Sequence, residues 1–80
     1  MEHNQVLAEM EEIFRDVLDN EDICLHDETT ASDIEEWDSL SHVQLVVAIE
    51  RHFNIRFKSE EIISMPNVGA MVDTIIKKKS

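Results

Sequence analysis

Eighty residues, 42% apolar and 31% charged with a formal net charge of −11, are expected to make one small domain with a soluble surface. That charge argues against nucleic acid as a partner, because phosphate binding needs clustered Lys and Arg, and no apolar run has the length of a membrane span. The single cysteine, Cys24, excludes an internal disulfide framework and fits a reducing cytosol, and the acidic N-terminus is unlike a signal peptide.

The charge is unevenly placed. Residues 1–38 hold fourteen acids against one arginine, a net of −13, and residues 39–80 hold four acids against six bases, a net of +2. Such an acidic half either stays solvated or docks on basic surfaces of other proteins.

Val6, Leu7, Met10, Ile13, Phe14, Val17 and Leu18 recur at helical spacing. An amphipathic helix is expected over about residues 4–18, capped by Asn4. Residues 19–38 show no helical period, but Ile23, Leu25 and Ile34 are spaced to pin the segment to the core. Within it, Ser32 and Glu35 have the spacing of a capping box for one short turn.

A second helix is expected from Ser39 to Phe53 with Asp38 as N-cap. Leu45, Val46, Ile49 and Phe53 share its core face. Leu40 and Val47 lie about 20° apart on the opposite side, and Val43 falls between the two faces. Apolar groups on an outer face add nothing to the core, so this stripe is expected to dock a partner. His42 falls on the core side as a half-buried packing residue. Trp37 fits two places, over the helix start or exposed beside it as a partner contact.

Ile55 and Phe57 alternate inward, and Ser59 caps a turn or two containing Ile62 and Ile63, which Met65 and Pro66 stop. Asn67 caps a last helix in which Val68, Met71, Val72, Ile75 and Ile76 fit the helical template completely. Lys77, Lys78 and Lys79 follow at its negative end and read as a solvated tail. The fold class is all-α: a small bundle of three main helices and one short helix within a single domain over residues 1–80.

Catalytic chemistry finds little support. Asp38, Ser39 and His42 are the residue types of a hydrolytic triad, yet Asp38 at the cap is poorly placed to orient the imidazole, and no nucleophile elbow is present. Cys24, His3, His26, His42 and His52 lack the paired spacing of a zinc site. The acidic loop has Cys24 where an EF-hand needs glycine and Thr30 where it needs glutamate. What remains is one serine at a positive helix end, a place where an attached anionic group is stabilised.

The run from Asp38, Ser39 and Leu40 through Val43, Leu45, Val46, Val47, Ile49 and Glu50 to Phe53 resembles the D-S-L-x-x-V-E-L-V-x-x-L-E-x-x-F signature of acyl carrier proteins. Size, acidity and helix plan resemble that family over essentially the whole chain. The resemblance implies a non-catalytic carrier with 4′-phosphopantetheine joined covalently to Ser39 by a phosphopantetheinyl transferase. It also implies acyl-loading, condensing and acyl-transferring partners, a monomer, a cytoplasmic setting and no metal of its own. Trp37, Asp38, Leu40, Val43, Val47 and Glu50 would form the motif and docking face. Val46, Ile49, Phe53, Ile62 and Met71 would line a cavity for the acyl chain. Compared with the fatty-acid-synthase type, Gln44 replaces a usual glutamate, Arg51, His52, Arg56 and Lys58 occupy a region usually acidic or neutral, and Trp37 replaces a small residue. These departures favour a dedicated acyl carrier of a specialised pathway. Aminoacyl, peptidyl and D-alanyl carriers share the fold, and the missing Gly-Gly before D-S tilts the reading towards acyl cargo. Outside the family, the alternative is an acidic helical interaction module that docks a partner helix along Leu40 and Val47.

Overall fold

The computed structural model describes residues 2–63 and 67–79, so Met65 and Pro66, expected to end the short helix, lie outside the described residues. Among these residues four α-helices follow one another: α1 (His3–Val17), α2 (Ser39–Phe53), α3 (Ser59–Ile63) and α4 (Val68–Lys79), with a single 3₁₀ turn at Ala31–Asp33 between the first two. No strand occurs among the described residues. The chain is all-α, as its periodicity predicts.

α1 packs against both α2 and α4. Val6, Met10 and Phe14 of α1 meet Leu45 and Ile49 of α2 and Val68, Met71, Val72 and Ile75 of α4, all withdrawn from solvent. Each such side chain contributes about 1.5–3 kcal/mol through burial, which offsets the ordering of so short a chain. Both long helices end in the same way. Asp19 and Asn54 take left-handed backbone angles (φ 52° and 57°), and the next N–H reaches back five residues, Asn20 to Arg15 O at 3.0 Å and Ile55 to Glu50 O at 3.0 Å. Asp and Asn tolerate that conformation better than other side chains.

Two helix boundaries differ from expectation. α1 begins one residue early, with Glu2 extended before it and no side-chain cap, so Asn4 lies inside the first turn. In the long loop the short turn is framed by Thr30 and Asp33, not by Ser32 and Glu35: the Thr30 N–H donates to Asp33 Oδ2 at 2.9 Å. Ile34 is the reason. It is extended and buried, so the turn must finish before it.

The loop is packed down as its dispersed apolar residues require. Ile23, Leu25, Ile34 and Trp37 are all buried. Polar ties reinforce them: the Leu25 N–H donates to Glu11 Oε2 at 3.0 Å, and Arg15 Nε donates to the Ile23 carbonyl at 2.8 Å. At the far side Val68 N donates to Thr29 O at 2.9 Å and Gly69 N to Asp27 O at 2.8 Å, so the loop backbone terminates α4 in place of solvent. Gly69, the one glycine, permits this approach, since a Cβ there would meet Asp27 O at 3.0 Å. Asn67 caps α4 as expected, its Oδ1 accepting from Ala70 N at 2.8 Å. The lysine run is the last turn of α4 and not a free tail: Lys78 pairs with Glu61 at 2.9 Å and lies 5.8 Å from the Phe57 ring centre.

Candidate functional site

The site is built at the junction of loop and α2. Asp38 is extended and caps the helix, and Ser39 is the first helical residue. Asp38 Oδ1 accepts from the Ser41 N–H at 2.9 Å, while the Asp38 N–H donates to Ser41 Oγ at 2.7 Å. Ser41 thus fills the place of Glu or Gln in a capping box. Its hydroxyl also donates to the Glu36 carbonyl at 2.9 Å. The Ser41 N–H, and after it the Ser41 side chain, hold the Asp38 carboxyl below the usual carboxylate range.

Two serines in one turn are therefore treated differently. Ser41 is buried with its hydroxyl committed. Ser39 is exposed, and its hydroxyl has no hydrogen-bond partner among the described residues.

Trp37 takes the first of its two expected places. It is 6% exposed, with its ring edge-on to Phe14 at 5.0 Å, and so offers little surface to a partner. Its indole N–H donates to His42 Nδ1 at 3.1 Å, and His42 Nε2 lies 3.1 Å from the carbonyl of Ile62 in α3. An indole nitrogen only donates, so Nδ1 accepts and Nε2 carries the proton. Both imidazole nitrogens are thereby occupied and neither can take a proton from Ser39. The hydrolytic reading fails on that geometry.

Beside Ser39 runs an open groove of about 530 Å³ lined by Ala31, Trp37, Asp38, His42, Ile62 and Ile63 together with the serine. Of the five residues expected to line an acyl cavity, only Ile62 borders this groove. Val46, Ile49, Phe53 and Met71 are packed into the core, where α1 and α4 fill the space. Ile63, 85% exposed, forms the outer lip.

Leu40, Val43 and Val47 stand out from α2 at 71%, 57% and 40% exposure, with Val43 on the outer side. Glu50 is not free alongside them. It is half-buried, and its Oε2 accepts from the Phe57 N–H at 2.8 Å, which fixes the segment after α2. Sequence reasoning missed Ser41, Ala31 and the Trp37–His42 bond. Only Ser41 had a local signal, the D-x-x-S spacing at the helix start.

A phosphate ester fits at Ser39. The hydroxyl is exposed and unbonded, it lies at the positive end of a helix of 15 residues, and a groove with apolar walls lies beside it. The comparisons with known proteins agree with that fit. The family described as "Phosphopantetheine attachment site" matches residues 8–75. The fold matches the solution structure of holo acyl carrier protein from Geobacter metallireducens with a TM-score of 0.86 and 44% identity, covering 91% of this chain and 84% of that one. No curated protein sequence matches. Proteins of this kind carry covalently attached 4′-phosphopantetheine, work with phosphopantetheinyl transferases and acyl-handling enzymes, and catalyse nothing themselves. Since the family match spans most of the chain and the solved relative shares its fold and 44% of its residues, this chain belongs to the acyl carrier protein family.

Proposed function

We propose that the chain is a dedicated acyl carrier and that Ser39 is its attachment residue. The observation that carries this reading is the contrast at the start of α2: Ser39 exposed and unbonded, Ser41 buried and bonded. When attached, the arm supplies a terminal thiol that holds the cargo as a thioester. The protein's own part is to present one hydroxyl, to favour the nearby negative charge through the α2 dipole, and to offer groove walls against which the arm can rest. Leu40, Val43 and Val47 give partner enzymes an apolar stripe leading away from that hydroxyl. The cargo is an acyl group of a specialised pathway, the setting is cytoplasmic and the working form is a monomer.

The test is the intact mass after incubation with coenzyme A, magnesium and a broad-specificity phosphopantetheinyl transferase. The expected result is a gain of one phosphopantetheine, mapped to Ser39, that Ser39→Ala abolishes while helical circular dichroism is unchanged. A Ser39→Ala protein that still gains the mass would overturn the assignment. A folded, unmodified protein that gains none would favour the interaction module.

A further inference from the structure

The far end of α2 carries a second feature. Residues 39–58 hold three bases against one acid, a net of +2, in a chain whose total is −11. Two other cations are spent within the fold, Arg15 on Glu11 and Lys78 on Glu61. Arg51 and Arg56 are not. Both are exposed, and neither has a hydrogen bond or ion pair among the described residues. They share the walls of an open groove of about 380 Å³ with Val47, Glu50, Asn54 and Ile55. Arg51 in the last turn complements the α2 dipole, but Arg56 lies beyond the helix, so the dipole does not account for the pair. Glu50, the one acid in the groove, is occupied by the Phe57 N–H.

Resting on the carrier reading above, we infer that this groove docks a carboxylate pair on the surface of a partner enzyme. Guanidinium forks match carboxylates in bidentate geometry. A lipid surface or a nucleic acid, each an extended polyanion, would be repelled by the −11 chain, whereas a local pair of carboxylates is not. The groove continues the exposed stripe, since Val47 belongs to both. Arg51 lies twelve residues beyond Ser39, about 18 Å along the helix at roughly 1.5 Å per residue. A matching enzyme therefore presents an apolar patch at the mouth that receives the arm and an acidic patch about 18 Å away.

The experiment uses two probes on the full chain: an amphipathic helical peptide with one leucine face and one glutamate face, and its counterpart with lysine for glutamate. Backbone amide shifts are followed by NMR. The glutamate peptide is expected to shift Val47, Arg51 and Asn54–Arg56, with affinity at least fivefold weaker in Arg51→Glu and in Arg56→Glu, and at least twofold weaker in the matching glutamine variants. Equal affinity in the variants, shifts centred on Lys77–Lys79, or tighter binding of the lysine peptide would overturn the inference. Attachment at Ser39 is measured on the unaltered chain in parallel. Attachment without the peptide result removes the docking inference alone, and no attachment removes the carrier reading on which it rests.

Discussion

His42 holds Trp37 and α3 at once, taking the indole N–H on one ring nitrogen and giving the other nitrogen's proton to the Ile62 carbonyl, with the two rings stacked 21° apart at 5.9 Å. α3 buries none of its side chains fully, and this bond ties its backbone to α2. No buried side-chain polar atom among the described residues lacks a partner, and removing the imidazole would break that condition.

His42→Ala is therefore expected to destabilise the fold by about 1–3 kcal/mol, the cost of leaving a sheltered donor and acceptor unpaired. Melting should fall by roughly 4–8 °C per kcal/mol for a domain of this size. Amide exchange in residues 59–63 should rise more than exchange in α1. Uniform acceleration along the chain would show that His42 supports the whole core and not α3 in particular.

Ser41→Ala removes the reciprocal half of the cap, leaves the Asp38 N–H and the Glu36 carbonyl without that hydroxyl, and should cost about 1 kcal/mol in urea denaturation. Phosphopantetheine attachment should persist in this variant. Loss of attachment with the helix intact would place Ser41, not only Ser39, in the modified site.

Gly69→Ala should destabilise by about 1 kcal/mol, although alanine is ordinarily the better helix former. The added methyl meets the Asp27 carbonyl at 3.0 Å and the Asp27 Cβ at 3.1 Å, and the Gly69 to Asp27 hydrogen bond must lengthen to make room. An increase in melting temperature would mean that the loop yields freely there.

Stability should decline as pH falls below about 4. The Asp38 carboxyl is held below its ordinary 3.8, chiefly by the Ser41 N–H, and the Glu61 carboxyl below 4.5, chiefly by the Lys58 N–H and next by Lys78. A lowered pKa in the folded state gives stability that is present above the ordinary value and is lost as pH falls through the lowered one. Asp38→Ala should accordingly show a smaller drop in urea midpoint between about pH 7 and about pH 3 than the unaltered protein. An equal drop would move the acid sensitivity to other carboxylates.

Local pattern carried much of this into the sequence itself. The bounds of α2, the caps Asp38 and Asn67, the inward Ile55 and Phe57, and the exposed Leu40 and Val47 all follow from periodicity and cap chemistry within a few residues. What could not be read depends on partners distant along the chain. Trp37 is placed by Phe14, Leu25 by Glu11, Gly69 by Asp27, and Lys78 by Glu61. The frame of the short turn at Ala31–Asp33 failed for a similar reason, because the burial of Ile34 and not the cap residues decides where it ends.

The unequal standing of Ser39 and Ser41 bears on how a modifying enzyme tells like from like. Two hydroxyls of the same reactivity lie two residues apart, and an enzyme reading a short peptide would have to discriminate between them. Folding removes that burden. With one oxygen enclosed in the cap and the other facing solvent, the proposed attachment at Ser39 would have its regiochemistry decided before any encounter. Selectivity should then vanish on unfolding even where the sequence is intact.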